Sequence, residues 1–202
     1  MTAKPGFIRI VGGLWRGRSI AAAADDRIRP TAERTREALF DILGHARAFR
    51  SAQGPMPRGI TVLDCFAGTG ALGLEALSRG ADHVIFLDDH ADSVALIRGN
   101  IAKLDAADAT TVAQRDALQP GRPSRQAKLV LLDPPYRSRL AGPALEALHG
   151  AGWLALGALA VTEVEAAEQL APPAGFEQVD ERRYGKAKLL FLRLHGRTLA
   201  DA

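Results

Sequence analysis

The alternation of apolar and polar residues predicts a chain in which short strands and helices follow one another. Apolar runs of strand length lie near residues 60–64, 83–88, 109–113 and 128–133. Helical spacing of apolar residues lies near 71–79, 91–104 and 139–149. Repeated strand–helix units predict an α/β fold, with a parallel sheet between two helical layers. Ligands of such sheets bind at the carboxyl ends of the strands.

The remaining apolar segments extend this core towards the C-terminus. Residues 159–164 predict a further strand, and residues 176–184 and 187–194 predict an antiparallel pair that turns at Gly185-Lys186. No apolar run approaches the roughly 20 residues of a membrane-spanning helix, and the first residues lack the apolar core of a signal peptide. With a single cysteine, Cys65, the chain forms no internal disulfide, and we expect a cytoplasmic protein.

The N-terminal segment has a different pattern. Residues 7–20 predict two short strands with a hairpin turn at Gly12-Gly13. A helix is predicted over 32–43, with Thr31 as its N-cap and Gly44 as its C-cap. Residues 51–59, rich in Pro and Gly, predict a linker. We therefore divide the chain into an extension, residues 1–50, and a catalytic domain, residues 51–202.

Charge distinguishes this extension from the rest of the chain. Residues 1–50 contain ten Lys and Arg against five Asp and Glu, although the whole chain carries only +3. A basic segment on a slightly acidic domain favours a polyanionic partner bound at one end. Trp15 lies among Arg9, Arg16 and Arg18, a combination that can stack on bases and hold phosphates. The alternatives are a solvated basic face and a Trp15 that packs over the hairpin.

A small-residue loop follows the strand at 60–64. The loop contains Gly68-x-Gly70-x-x-Gly73, which matches the glycine pattern of dinucleotide sites. Asp64 lies at the mouth of this loop, where a carboxylate would repel a pyrophosphate. S-adenosylmethionine (SAM) carries a sulfonium and an ammonium group and no phosphate. The loop therefore favours SAM over a nicotinamide dinucleotide.

Carboxylates at four strand ends support this interpretation. They are Asp64, Asp88, Asp116 and Asp133. Asp88 or Asp89 can accept hydrogen bonds from both ribose hydroxyls, and Asp116 can accept one from the adenine amine. For any single residue of the set, loop capping is an alternative role. No His spacing indicates a metal site, so we expect no metal.

The most specific motif is Asp133-Pro134-Pro135-Tyr136, directly after an apolar strand. Two prolines fix the backbone and remove two N–H donors, so the Asp133 carboxylate and the Pro134 carbonyl remain as acceptors. Such a pair suits an exocyclic amine, whose two N–H groups it can hold while the nitrogen lone pair points at a methyl donor. Tyr136 can stack on the base. The alternative is a rigid turn that only ends the strand.

With these motifs the chain resembles class I SAM-dependent methyltransferases, and more narrowly the rRNA guanine-N2 methyltransferases of the RsmD type. Besides the glycine loop and the Asp-Pro-Pro-Tyr motif, the resemblance covers Arg9 to Gly13 with Trp15 to Arg18, and Arg29-Pro30-Thr31 with Arg34. It implies a Rossmann-like, seven-stranded, mostly parallel sheet with an antiparallel last strand. It also implies methylation of N2 of guanine 966 of 16S rRNA, on the rRNA or on the small-subunit particle, by a monomer.

The resemblance also assigns residues to roles. It implies that Asp133, Pro134, Pro135 and Tyr136 are catalytic. The expected cofactor-binding residues are Asp64, Phe66, Ala67, Gly68, Gly70, Ala71, Asp88, Asp89, Asp116 and Ala117. The expected RNA-binding residues are Arg9, Trp15, Arg16, Arg18, Arg29, Thr31 and Arg34. Asp88-Asp89-His90 departs from the family's usual Glu-x-Asp, which leaves open whether Asp88 or Asp89 binds the ribose.

Three other functions fit parts of this pattern. An adenine-N6 methyltransferase would use the Asp-Pro-Pro-Tyr motif equally well, and a protein glutamine-amide methyltransferase would leave the basic extension without a role. A non-catalytic RNA-binding assembly factor on the same fold would not need an intact glycine loop and amine motif.

Overall fold

A computed structural model describes residues 6–22, 30–135 and 138–195, and strands alternate with helices along most of this length. The strands are β1 (Phe7–Arg9), β2 (Ser19–Ala21), β3 (Thr61–Cys65), β4 (His83–Asp88), β5 (Thr110–Gln114), β6 (Ala127–Leu132), β7 (Leu154–Glu165), β8 (Phe176–Tyr184) and β9 (Ala187–Leu194). The α-helices are α1 (Pro30–His45), α2 (Ala71–Ser78), α3 (Ala91–Leu104) and α4 (Ala141–Gly150). The bounds predicted for β4, α3, β8 and β9 are confirmed at both ends.

The central sheet contains seven strands in the order β5-β4-β3-β6-β7-β9-β8. Its first five strands are parallel, whereas β9 is antiparallel to both of its neighbours. The predicted seven-stranded, mostly parallel sheet with an antiparallel last strand is therefore confirmed. Chain order reverses between β3 and β6, which are neighbours in the sheet. A crevice opens at the carboxyl ends of such a pair because the connections leave towards opposite faces.

Both faces of the central strands are buried, and side chains alternate between two hydrophobic clusters. On β3, Val62 belongs to the first cluster and Leu63 to the second. On β6, Leu131 belongs to the first and Leu132 to the second. Helices α1, α2 and α3 cover the first face, and α4 with Trp153 covers the second. Parallel strands buried on both sides carry continuous apolar runs, which is why the sequence predicts them well.

The N-terminal segment shares this core. Ile10, Ile20 and Phe40 are buried in the first cluster together with the sheet residues. Phe49 stacks on Phe191 of β9, with ring centroids 5.0 Å apart. The predicted extension is thus packed on the sheet over the part that the structure describes. The functional division at residues 50 and 51 stays a prediction.

The predicted hairpin turn at Gly12-Gly13 is wrong. β1 and β2 do pair, but residues 10–18 connect them through a 3₁₀ turn at Gly13–Trp15. Arg16 and Arg18 therefore lie in this connection, outside both strands. The cause is a tertiary contact, since the backbone N–H groups of Val11 and Gly12 both donate to the carboxylate of Glu75 on α2, at 2.8 Å each.

The other predicted helices and strands of the core differ from the observed ones by at least one residue at one end or both, and the differences at α1 and β7 matter most. Helix α1 begins at Pro30, so Thr31 lies in its first turn and is not the N-cap, and Gly44 lies inside the helix. Proline suits the first helical position because the N–H that it lacks has no partner there. Strand β7 begins at Leu154, five residues earlier than predicted, and its pairing with β6 shifts between Ala127 and Leu129.

Candidate active site

The glycine loop between β3 and α2 bends sharply at three residues with positive φ. These are Phe66 (φ 61°), Gly68 (φ 54°) and Gly70 (φ 76°), the last of which is the N-cap of α2. A Cβ added at Gly68 would meet no atom within 4 Å, so this side of the loop is open to a ligand. At Gly73 the same atom would lie 2.4 Å from the Phe86 ring, so this glycine lets α2 pack closely on β4.

Asp64 holds the loop from inside. Its side chain is 1% exposed, and Oδ2 accepts the N–H of Gly73 at 2.8 Å. Burial raises the pKa of this carboxyl well above its ordinary value, and the nearby Asp133 and Asp88 carboxylates raise it further. The expectation that this carboxylate lies at the mouth of the loop is therefore wrong. Asp64 positions the loop through Gly73. Because its carboxyl does not face the ligand side of the loop, it gives no reason to exclude a pyrophosphate there.

Asp88, at the end of β4, connects that strand to the same loop. It is 7% exposed, and its Oδ2 accepts the Gly68 N–H at 2.8 Å while Oδ1 accepts the His90 N–H at 3.0 Å. Each carboxylate oxygen keeps acceptor capacity beyond these bonds. Asp89 is largely exposed, with Oδ1 3.6 Å from His90 Nε2. Of the two candidate ribose ligands, Asp88 is therefore the one in contact with the glycine loop.

The loop after β5 lies on the same edge of the sheet. Asp116 is exposed, and its Oδ1 accepts the Leu118 N–H at 2.8 Å. Ala117 is buried in the second hydrophobic cluster. Arg115 closes the loop, because its Nη1 donates to the carbonyls of Pro120 and Arg122 at 2.7 and 2.9 Å. This bond is the loop-capping role that the sequence analysis gave as the alternative for Asp116. The carboxylate can still accept further hydrogen bonds, at the second lone pair of Oδ1 and at Oδ2.

The Asp133-Pro134-Pro135 turn lies at the reversal of chain order. Its first residue extends the pairing of β6 with β3, since Asp133 N–H donates to the Cys65 carbonyl at 3.4 Å. The Asp133 side chain is exposed, Pro134 is buried and Pro135 is exposed. Tyr136 lies outside the described residues. The turn and the glycine loop therefore leave adjacent strands at the same edge, as the sequence predicts.

A groove runs beside this turn, between the start of α4 and the end of β7. Its lining residues are Pro134, Pro135, Ser138, Arg139, Leu140, Ala141, Glu163, Val164 and Glu168. The sequence analysis missed Glu163, although it predicted a strand at 159–164. Strand register would have found it, because a carboxylate at the end of β7 reaches the edge that carries Asp133.

The described basic residues of the extension are mostly on the surface. Arg9, Arg16 and Arg34 are exposed. Arg18 is also exposed, but its Nη2 donates to the Lys103 carbonyl at 2.7 Å. Trp15 is half-buried against the first cluster, which agrees with the alternative of a packed tryptophan. Arg29 and the side chain of Thr31 lie outside the described residues.

A buried ionic group that the sequence analysis missed fixes this basic segment on α2. Glu75 is fully buried and accepts the Nε–H of Arg79 at 2.8 Å in addition to the two backbone N–H groups. Arg36 places its Nε 3.8 Å from Glu75 Oε2, and its Nη2 donates to the Arg9 carbonyl at 2.7 Å. Burial lowers the pKa of Arg36, although Glu75 opposes this. The group orients the segment on the side of the sheet that carries α2.

Within residues 6–22, 30–135 and 138–195, no group of three or more His, Cys, Asp or Glu is arranged to hold a metal ion. In the same part of the chain, no helix has the length and hydropathy needed to cross a membrane.

The known proteins that are similar to this chain include several named as methyltransferases. The family described as Conserved hypothetical protein 95 matches residues 8–193. A protein of Escherichia coli K12 named Ribosomal RNA small subunit methyltransferase D is 41% identical over 79% of this chain and 76% of its own length. A protein of the same name from Haemophilus influenzae is 32% identical over 89% of this chain and 90% of its own length. The solved structure of yhhF, a candidate methyltransferase from Escherichia coli, superposes with a TM-score of 0.78 at 32% identity, covering 95% of this chain and all of that one.

Proposed function

The chain belongs to the family described as Conserved hypothetical protein 95, and from this premise we propose that it is a SAM-dependent rRNA methyltransferase. Its target is the exocyclic N2 of a guanine in 16S rRNA, position 966 in conventional numbering. The observation that carries the proposal is the Asp133-Pro134-Pro135 turn, which pairs with β3 beside the glycine loop. An acceptor-rich turn next to a cofactor loop is what methylation of an amine requires.

The residues of the crevice fit SAM. Gly68 leaves space on the open side of the loop, and Asp88 supplies carboxylate oxygens at the same loop. Residues 64–73 contain no Lys or Arg, so the loop offers no cation that would favour a phosphate over a sulfonium. The residues that would hold SAM are Phe66, Ala67, Gly68, Gly70, Ala71, Asp88 or Asp89, Asp116 and Ala117. Asp64 would act through the Gly73 contact, without touching the ligand.

When SAM is bound, it would supply an electrophilic methyl group, and its thioether would be the leaving group as N2 forms the new N–C bond. The protein contributes acceptors and orientation. Asp133 and the Pro134 carbonyl hold the two N2 hydrogens, which keeps the lone pair off the purine ring and directed at the methyl group. The amine would become cationic on methylation and would then pass a proton readily to Asp133 or to water, so Asp133 serves as a hydrogen-bond acceptor and need not be a strong base.

RNA binding is assigned to the basic extension. Arg9, Arg16 and Arg34 are exposed and can contact phosphates, which position the RNA without reading its sequence. Guanine N2 lies on the base-pairing edge, so a paired target would have to be flipped out of its helix to reach Asp133. We propose that the enzyme acts as a cytoplasmic monomer.

Replacement of Asp133 tests the proposal at the reacting atoms. With tritiated SAM and 16S rRNA, Asp133→Ala should lose about 100-fold or more in turnover, by analogy with removal of one oxyanion-hole donor. Asp133→Asn is the matched control: it keeps an acceptor oxygen and should stay within about tenfold of the wild type. Both variants should bind SAM with unchanged affinity in calorimetry. Equal losses in the two variants would identify Asp133 as a base and contradict its role as an acceptor.

A further inference from the structure

Strand register places Glu163 next to the amine-binding turn. Leu132 of β6 pairs with Thr162 of β7, so the residues that follow them, Asp133 and Glu163, lie side by side at the edge of the sheet. Alternation along the strands also gives them the same face. Leu131 and Val161, two residues earlier, both contribute to the first hydrophobic cluster. Asp133 N–H continues the pairing with β3, which extends this face by one residue.

The groove joins Glu163 to the turn. Glu163 is half-buried and lines the same space as Pro134 and Pro135, which fix the acceptors for the reacting amine. Ser138 and Arg139, on another wall, bring hydrogen-bond donors. A base whose exocyclic amine contacts Asp133 would therefore have the neighbouring ring nitrogen of its pairing edge close to the carboxylate of Glu163.

Resting on the proposed function, we propose that Glu163 determines specificity by accepting the N1–H of the target guanine. The pairing edge of guanine presents three N–H hydrogens, two on N2 and one on N1. Asp133, the Pro134 carbonyl and Glu163 supply three acceptors. Adenine presents a lone pair at N1, which the carboxylate of Glu163 would repel. Glu163 thus separates guanine-N2 from adenine-N6 methylation, a choice that the Asp-Pro-Pro turn alone does not make.

The test compares two RNA substrates that differ at N1 and at the 6-oxo group, and the Glu163→Gln variant isolates the contribution of N1. In 16S rRNA assembled by ligation, the target position carries either guanosine or 2-aminopurine riboside, which keeps the 2-amino group but has an unprotonated N1. The wild type should prefer guanosine by about 10–100-fold in kcat/KM, since a hydrogen bond to a charged group is lost and a buried acceptor is left opposite a lone pair. Glu163→Gln should lower that preference at least tenfold, because the amide N–H₂ can donate to the N1 lone pair.

Controls separate this inference from the proposed function. Glu165→Gln changes a carboxylate two residues further along β7, outside the groove, and should keep the wild-type preference. SAM calorimetry shows whether each variant is folded. If Glu163→Gln does not fold, the test is the preference of the wild type for guanosine over 2-aminopurine riboside. Suppose that the wild type forms N2-methylguanosine but does not prefer guanosine, or that Glu163→Gln keeps the wild-type preference. Either result would overturn the role of Glu163 and leave the proposed function intact. A wild type that forms no N2-methylguanosine would overturn the proposed function and this inference together.

Discussion

Single residues hold the active-site loops in place from beneath. Asp64 is buried and fixes the start of α2 through Gly73, while Asp88 holds the Gly68 N–H from the neighbouring strand. Both carboxylates were expected as cofactor ligands from their position at strand ends. The structure gives Asp64 a positioning role because the pleat turns its side chain towards the first hydrophobic face, a distinction that spacing alone does not reveal.

The buried Asp64 predicts a pH dependence of stability. Its raised pKa means that the folded state favours the protonated form, so its contribution is fully present below the ordinary value of 3.8 and is lost as pH rises through the higher folded value. Asp64→Asn keeps an acceptor for Gly73 and does not titrate. Urea unfolding from pH 4 to pH 8 should show the variant becoming more stable relative to the wild type as pH increases. Parallel pH profiles would contradict this account.

At the scale of elements, strands and helices that are buried by their own apolar pattern were predictable. β4 and α3 agree at both ends because every residue of β4 is buried and α3 is long and periodic. The β1–β2 connection was not predictable, because its backbone N–H groups donate to Glu75, which lies more than 60 residues away in the sequence. Glu163 was missed for a different reason: its strand was predicted, but its position beside Asp133 follows from the pairing of β7 with β6. The glycine loop and the amine motif were found because their residues are contiguous.

The docking of this connection on α2 gives a prediction with a matched control. A Cβ at Gly13 would lie 1.8 Å from the Ser78 carbonyl oxygen, and φ there is +74°. Gly17 has φ +85° but nothing within 4 Å of an added Cβ. Gly17→Ala should therefore cost only the backbone strain, about 1–2 kcal/mol, whereas Gly13→Ala should cost about 3 kcal/mol or more. Equal losses in urea unfolding would show that the contact with α2 is unimportant.

Across the whole molecule, charge and topology support the proposal that RNA binding and methyl transfer occur on one side of the sheet. The basic extension packs on the face covered by α1, α2 and α3, the face towards which Asp133 and Glu163 point. The surface of the extension remains positive because Arg9, Arg16 and Arg34 stay exposed, while the buried Arg36 pairs with Glu75 of α2. RNA held by this surface would therefore enter from the side that carries the amine-binding turn.

Salt dependence of RNA binding tests this assignment. Replacement of Arg9, Arg16 and Arg34 by Ala should weaken binding to 16S rRNA and reduce the slope of log K against log salt by about 0.7–0.9 per lost phosphate contact. Arg182→Ala with Arg183→Ala on β8 is the control, since these arginines pair with Asp180 and Glu181. The control should keep the wild-type slope. An unchanged slope in the triple variant would remove the extension from the RNA interface.

The identity of the methylated nucleoside tests the central claim most directly. The purified protein is incubated with tritiated SAM and 16S rRNA or small-subunit particles, and the RNA is digested to nucleosides for mass analysis. The account predicts that the label appears in N2-methylguanosine at a single guanine. Label in N6-methyladenosine, or no transfer to either substrate by a protein that binds SAM, would contradict it.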